Sequence, residues 1–244
     1  MKTSTSQTLA EIVTNNHRSA AVLEKYHLDF CCKGKRSLQQ ACKEQNISVE
    51  DLLNELENIS VNRETAYPFD KLSLSQLVDH IVSTHHEYVK TESPQIAAYL
   101  QKVASKHGDR HPELFKIFEL FTILKEEMEQ HMRKEELILF PRIKELEQYE
   151  TTNEGFAKPD LAYLQAPVQV MENEHEEAGT ITEELRKLTS NYTAPLDACT
   201  TYKLAFAALS AFAQDLHQHV HLENNILFPK AIRSSHIIAG RQHN

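Results

Sequence analysis

The sequence predicts an all-α protein, a four-helix up-and-down bundle preceded by a small N-terminal helical domain. Three observations predict it. The 244 residues include only five glycines and no tryptophan, so tight turns are few. Leu, Ala, Glu, Lys and Gln, all good helix formers, are abundant. Two stretches 88 residues apart repeat one another, as a duplicated helical hairpin does.

Residues 1–65 read as the small domain. A first helix is predicted over about 8–26, with Leu9, Ile12, Val13, Ala20 and Leu23 on its apolar face. It stops before Asp29-Phe30-Cys31-Cys32-Lys33-Gly34, where Gly34 suits a turn. A short helix follows over 37–44. A third starts near Ser48, with Asp51 at the capping offset and Leu52, Leu53, Leu56 and Ile59 along one side. A unit of this size buries little surface alone and is expected to lean on a partner. Residues 62–70 read as a linker. The bundle domain, 71–233, holds four long helical patterns: 73–93 resuming after Pro94 to about 106, 112–149, 167–189 and 196–233. Pro94, Pro112 and Pro167 are read as marking helix starts. Residues 150–166 and 190–195 are expected loops, and 234–244 a frayed tail.

The formal charge of −9 argues against nucleic acid as a partner, since phosphate binding needs a basic face. The N-terminal stretch has neither a long apolar run nor a small-residue cleavage site. No segment approaches the ~18–20 apolar residues of a membrane span. The expected location is the cytoplasm, with no membrane partner. Of the four cysteines, Cys31 and Cys32 are adjacent, an awkward arrangement for a disulfide framework. Cys42 and Cys199 are read as packing residues.

The repeat carries chemistry. His131-Met-Arg-Lys-Glu135-Glu-Leu-Ile138-Leu139-Phe140-Pro141 matches His219-Val-His-Leu-Glu223-Asn-Asn-Ile226-Leu227-Phe228-Pro229. His86-Glu87 precedes the first copy by 45 residues, and His175-Glu176 precedes the second by 44. Each half is then a hairpin with one histidine on its first helix and a His-x-x-x-Glu pair on its second. Residues four apart share a helix face. Around Glu135 that face carries Met132, Ile138 and Leu139; around Glu223 it carries Val220, Ile226 and Leu227. Both carboxylates therefore sit on apolar stripes, with no Lys or Arg at i±3 or i±4. Burying an unpaired carboxylate costs several kcal/mol. Bound dications remove that cost. One His-x-x-x-Glu pair alone is common on a solvated face, but two in register on apolar stripes favour metal. The candidate ligands are His86, His131, Glu135, His175, His219 and Glu223. Imidazole and carboxylate without thiolate suit iron or manganese, and six ligands for two metals leave open positions. His86 is preferred over His85 by its match with His175; His85 stays open as the alternative first ligand or as an outer-face residue. His217 and His221 fall on the opposite side of their helix. His80 has no repeat partner, His107 and His111 lie near a helix junction, and His236 and His243 fall in the tail.

These segments resemble the bacterial iron–sulfur cluster repair di-iron proteins, which carry a hemerythrin-like domain behind a double-cysteine domain. The resemblance covers nearly the whole chain. It rests on the two repeat copies and on Tyr26-His-Leu-Asp-Phe-Cys31-Cys32-Lys-Gly34, Met171-Glu-Asn-Glu-His175-Glu-Glu-Ala-Gly179 and Ala198-Cys199-Thr200-Thr201. It implies a non-haem di-iron centre at the six positions, oxo- and carboxylate-bridged, with both glutamates bridging. It further implies repair of clusters damaged by oxidative or nitrosative stress, damaged iron–sulfur proteins as partners, nitric oxide or oxygen species as small ligands, and a homodimer. The chain departs from the family pattern at Lys33, where a second glycine is common, and at His85, a tyrosine-like position. Cys31 and Cys32 are the family's signature pair, candidates for iron or thiol handling, with Lys33 and Lys35 expected to lower a thiol pKa. Two other functions stay open as alternatives. A hemerythrin-type oxygen or nitric oxide binding or sensing protein has His-x-x-x-x-Asp in its fourth helix, where this chain has Glu223 and then Asn224. A nitric oxide reductase-like enzyme is the other alternative, and no catalytic residue is assigned for it.

Overall fold

The computed structural model describes residues 3–16, 18–60, 69–152 and 161–241. The fold is all-α, and the described residues hold no strand beyond a single bridge between Thr8 and Ser37. Four short helices come first: α1 (Leu9–Asn15), α2 (Ser19–Lys25), α3 (Leu38–Gln45) and α4 (Val49–Ser60). The expected first helix is thus two. Asn16 is extended (φ −154°, ψ 96°) and its Oδ1 accepts from Arg18 N at 3.3 Å, a local bond that competes with helix continuation. Ser37 and Ser48 cap α3 and α4, their Oγ atoms accepting from Gln40 N at 3.2 Å and Asp51 N at 3.3 Å. Gly34 is required by close approach, because a Cβ there meets Phe30 O at 2.2 Å.

Four rods follow. The first is α5 (Leu74–Ile81) and α6 (Glu87–His107), joined by a π-helical turn, Val82–His86. The second is α7 (Glu113–Lys134) and α8 (Phe140–Thr152), joined by the π-turn Glu135–Leu139. The third is α9 (Leu161–Leu188) alone. The fourth is α10 (Thr200–Leu222) and α11 (Phe228–Arg241), joined by the π-turn Glu223–Leu227. α6 packs on α7 and α10, α7 on α9, α5 on α8, and α11 on α8 and α9, which closes the four rods into a bundle.

Two apolar clusters fill it. One joins the N-terminal helices to α6, α7, α10 and the end of α9 through residues such as Leu9, Phe30, Phe121 and Phe212. The other lies between α5, α8, the start of α9 and α11, around Leu77, Ile143, Met171 and Phe228.

Pro112 caps α7 just before its start, as predicted, but Pro94 lies inside α6 and Pro167 inside α9. A proline frees the carbonyl four residues back. For Pro167 this is Tyr163 O, which accepts from Arg142 Nη1 at 2.8 Å, so the helix tolerates it. The fourth pattern starts later than predicted, at Thr200, with Leu196 fully exposed in the preceding turn. It also runs on to Arg241, into the expected tail, where Ser235 and Ile238 are buried. Residues 62–68 of the expected linker, 153–160 of the first expected loop and His243 lie outside the described residues, and the rest of that loop is helical, in α8 and α9. No helix among the described residues is long and apolar enough to cross a membrane.

Phe121 is fully buried, edge-on to Phe212 at 5.3 Å between ring centres. Phe121→Ala is expected to cost about 3–5 kcal/mol of stability, read from the urea midpoint at unchanged slope.

Candidate metal centre

Each of the three π-turns adds a residue to a helical turn, and such insertions concentrate at functional sites. Pro141 and Pro229 follow two of them by two residues. Neither proline has the N–H that an α-helical bond to residue i−4 needs, so the Ile-Leu-Phe-Pro repeat accompanies the widened turn. Leu139, Ile226 and Leu227 are buried as the stripes predict, but Ile138 is 47% exposed, although its counterpart Ile226 is buried in an equivalent widened turn that packs against α1.

The turns converge on the joint between the two apolar clusters. His86, His131, Glu135, His175, His219 and Glu223 meet there, each at most 1% exposed. They form two donor groups, His86–His219 and His131–His175, and both groups include Glu135 and Glu223. All four imidazoles turn Nε2 inward. Glu135 Oε2 lies 3.3 Å from His86 Nε2 and 3.4 Å from His131 Nε2. Glu223 Oε1 lies 3.0 Å from His219 Nε2, and its Oε2 lies 3.1 Å from His175 Nε2. His131 Nε2 and His175 Nε2 are 3.0 Å apart.

These residues fit a metal. Donor atoms around a small dication with bonds of about 2.1 Å stand roughly 3 Å apart, as these do. Both oxygens of Glu135, Oε2 of Glu223 and Nε2 of His86 are buried without a hydrogen bond. The nearby imidazoles are close but not aligned to donate to Glu135. Electrostatics agrees. Burial, and then the Glu223 charge, push the Glu135 carboxyl well above the usual range. Burial acts the same way on Glu223, but His219 and His175 outweigh it and hold that carboxyl low. Burial, chiefly, takes His86 and His131 down to about 4, so both are neutral at pH 7, the state that ligates.

Three of the four outward-facing Nδ1 atoms are anchored. His86 Nδ1 meets Glu136 Oε1 at 2.8 Å, His131 Nδ1 meets Glu174 Oε2 at 2.9 Å, and His175 Nδ1 meets Asn224 Oδ1 at 2.8 Å. Lys90 and Lys134 clamp Glu136 and Glu174 in turn. The sequence reading missed these anchors. The available signal was position, since each directly adjoins a candidate ligand. His85 is not on the outer face. It is buried, bonded through Nδ1 to Asp215 Oδ1 at 2.9 Å, and its ring stacks on His219 at 5.5 Å. His80 lies edge-on to His85 at 5.9 Å. His107 and His111 pack on Tyr202.

His217 and His221 do point away from the centre. They pack beneath Phe30, at 6.2 and 5.5 Å. The cysteine motif is docked there. Asn225 Nδ2 donates to Cys31 O at 3.2 Å and Phe30 O at 3.4 Å, and Cys32 Sγ donates to His175 O at 3.5 Å. Asp29 Oδ1 accepts from the backbone N–H groups of Cys31 and Cys32, both at 3.0 Å, and from the Cys31 thiol at 3.2 Å. Asp29, Cys31 and Cys32 form a third group of potential metal donors. The Cys32 sulfur, then burial and Asp29, raise the Cys31 pKa well above the ordinary thiol value, so Lys33 and Lys35 do not lower it as expected. Cys42 is buried, but Cys199 is exposed at the start of α10, with its sulfur 3.3 Å from His107 Nε2.

The family model of the hemerythrin HHE cation-binding domain matches residues 77–231. A second model, a domain of unknown function (DUF542), matches residues 5–60. The chain is similar to the iron–sulfur cluster repair protein YtfE of an Enterobacter species, 34% identical over 230 residues that cover 93% of this chain and 96% of the relative. It is 32% identical to the protein of that name from Dickeya chrysanthemi over 227 residues, 93% of this chain and 97% of the relative. The protein of that name from Escherichia coli is 33% identical, over 93% and 96% of the two chains.

Glu135→Leu removes a buried carboxyl that no protein cation offsets. Without metal, the variant is expected to be about 1–4 kcal/mol more stable than the parent chain. Added ferrous iron should stabilise the parent more than the variant, which keeps five of the six donors. Anaerobic urea unfolding with and without iron measures both effects.

Proposed function

The chain belongs to the hemerythrin HHE cation-binding family, and on that premise we propose that it is a di-iron protein that repairs iron–sulfur clusters damaged by oxidative or nitrosative stress. One observation carries this reading. Two buried carboxylates with unsatisfied oxygens are shared by two pairs of inward-facing imidazole nitrogens. In this reading His86 and His219 would hold one iron and His131 and His175 the other, with Glu135 and Glu223 available to both. Six donors for two metals, none of them a thiolate, suit iron. When bound, the irons supply exchangeable ferrous ions and open positions for small ligands such as nitric oxide.

The protein's own residues do the rest. Glu136, Glu174 and Asn224 orient three imidazoles. The two apolar clusters keep water from both ends of the centre. Cys32 donates its thiol to the backbone carbonyl of His175, a candidate ligand, and the Cys31 sulfur lies 3.7 Å from that of Cys32, which would put both thiols beside one wall of the centre. The matches over 5–60 and 77–231 support a division into a cysteine domain, 1–65, and a bundle domain, 71–233. The names of the relatives support damaged iron–sulfur proteins as targets. We read the working form as a cytoplasmic homodimer.

The protein purified anaerobically and loaded with ferrous iron is expected to hold two irons per chain by metal analysis. A nitric-oxide-damaged cluster enzyme should regain activity faster with this holoprotein than with equal free ferrous iron and thiol. Fewer than two irons per chain ends the di-iron reading, and equal recovery ends the repair reading. Steady conversion of nitric oxide to nitrous oxide without recovery of the damaged enzyme identifies a reductase instead.

A further inference from the structure

The duplication makes each anchor comparable with its counterpart. Glu136 follows Glu135 and anchors His86. Asn224 follows Glu223 and anchors His175. Those two positions are equivalent and do the same work. Glu174 precedes His175 and anchors His131. Its equivalent, the residue before His86, is His85, and it does not anchor His219. Instead it lies flat on the His219 ring, 5.5 Å away at 5° between planes, and takes Asp215 Oδ1 for its own Nδ1. His219 Nδ1 is left buried with no hydrogen-bond partner among the described residues.

Asp215 lies four residues before His219, one helical turn away on the same face. Its second oxygen, Oδ2, is also buried without a partner. Two residues, each with an unsatisfied polar atom, thus stand one turn apart, and His85 holds the carboxylate through its other oxygen, Oδ1. Ligating histidines ordinarily donate their outer N–H to a carboxylate, carbonyl or water, and losing that partner typically costs 10–100-fold in metal affinity.

We propose that the two halves of the centre are unequal: the His86–His219 half gives up its iron first, because His85 holds Asp215 away from His219. His85 and Asp215 are positioning residues in this scheme. They act on the metal only through the His219 ring. The scheme rests on the di-iron reading above and adds to it which ion is available for donation. Release itself is a ligand exchange, with the ferrous ion leaving to an external chelator and no change of oxidation state.

The test uses the full chain loaded anaerobically with two ferrous ions enriched in the Mössbauer isotope, challenged with excess ferrous chelator. Two release phases of equal amplitude are expected, separated by at least roughly tenfold in rate. The Mössbauer spectrum should lose one ferrous component before the other. Asn224→Leu removes the anchor of His175 and is expected to speed the slow phase alone. His85→Phe keeps a flat ring on His219 but frees Asp215, and is expected to slow the fast phase several-fold. Circular dichroism melting and full iron loading check that each variant folds. A single phase in the parent protein overturns the proposal without any variant. So does acceleration of the fast phase by Asn224→Leu, or a fast phase in His85→Phe that is unchanged or quicker. Loading below two irons per chain is a different failure, that of the di-iron reading.

Discussion

Glu135 and Glu223 lie at zero exposure between four imidazoles, with no lysine or arginine among the described residues in contact. An anion in such a place persists only if it takes up a proton or acquires a counter-cation. Among the described residues no lysine or arginine supplies that cation, and the imidazoles offset burial only at Glu223. The protein places its lysines one layer out, on Glu136 and Glu174, where they restrain the anchors and leave the inner carboxylates alone. The rest of the bundle serves this arrangement. Three widened turns deliver the side chains to one level, and two dry clusters close the space above and below it. In a medium of low polarity, the attraction between such a carboxylate pair and a dication is far stronger than in water.

The helical fold and the convergence of six residues could be read from the chain because both are periodic properties. A four-residue spacing reports a shared helix face, and a duplicated motif reports two such faces brought together. What escaped was whatever periodicity does not encode. Ile138 and Ile226 occupy the same place in two equivalent widened turns, yet only the second is buried, in a turn that packs against α1 from the far end of the chain. Asn16 interrupts an otherwise acceptable helix through a bond two residues long. Pro167 is absorbed because Arg142, distant in sequence, takes up the stranded carbonyl of Tyr163.

The anchors were missed for a related reason. Glu174 and Asn224 look like ordinary solvated residues in a helix until the partner rod is placed beside them. His85 looked peripheral beside His86, yet it stacks on an imidazole from a rod more than a hundred residues away. The seating of the cysteine motif depends on contacts such as Asn225 to Cys31, which join segments nearly two hundred residues apart. No local pattern announces such a contact. The direction of the Cys31 shift also depended on three-dimensional surroundings, Cys32 and Asp29 foremost, and not on the lysines nearby in sequence.

Asn224 and Asn225 are consecutive, yet they reach in different directions. One fixes the His175 ring and the other grips the backbone of the cysteine motif. A single helical turn therefore belongs to both the ion-holding layer and the seat of the front helices. Any thermodynamic linkage between the two through that turn is mutual. If seating the front helices tightens the hold on a cation by some factor, filling the centre tightens the seat by that same factor. A target protein that pries the double-cysteine segment loose would then meet a chain whose grip on its cargo had slackened in the same event.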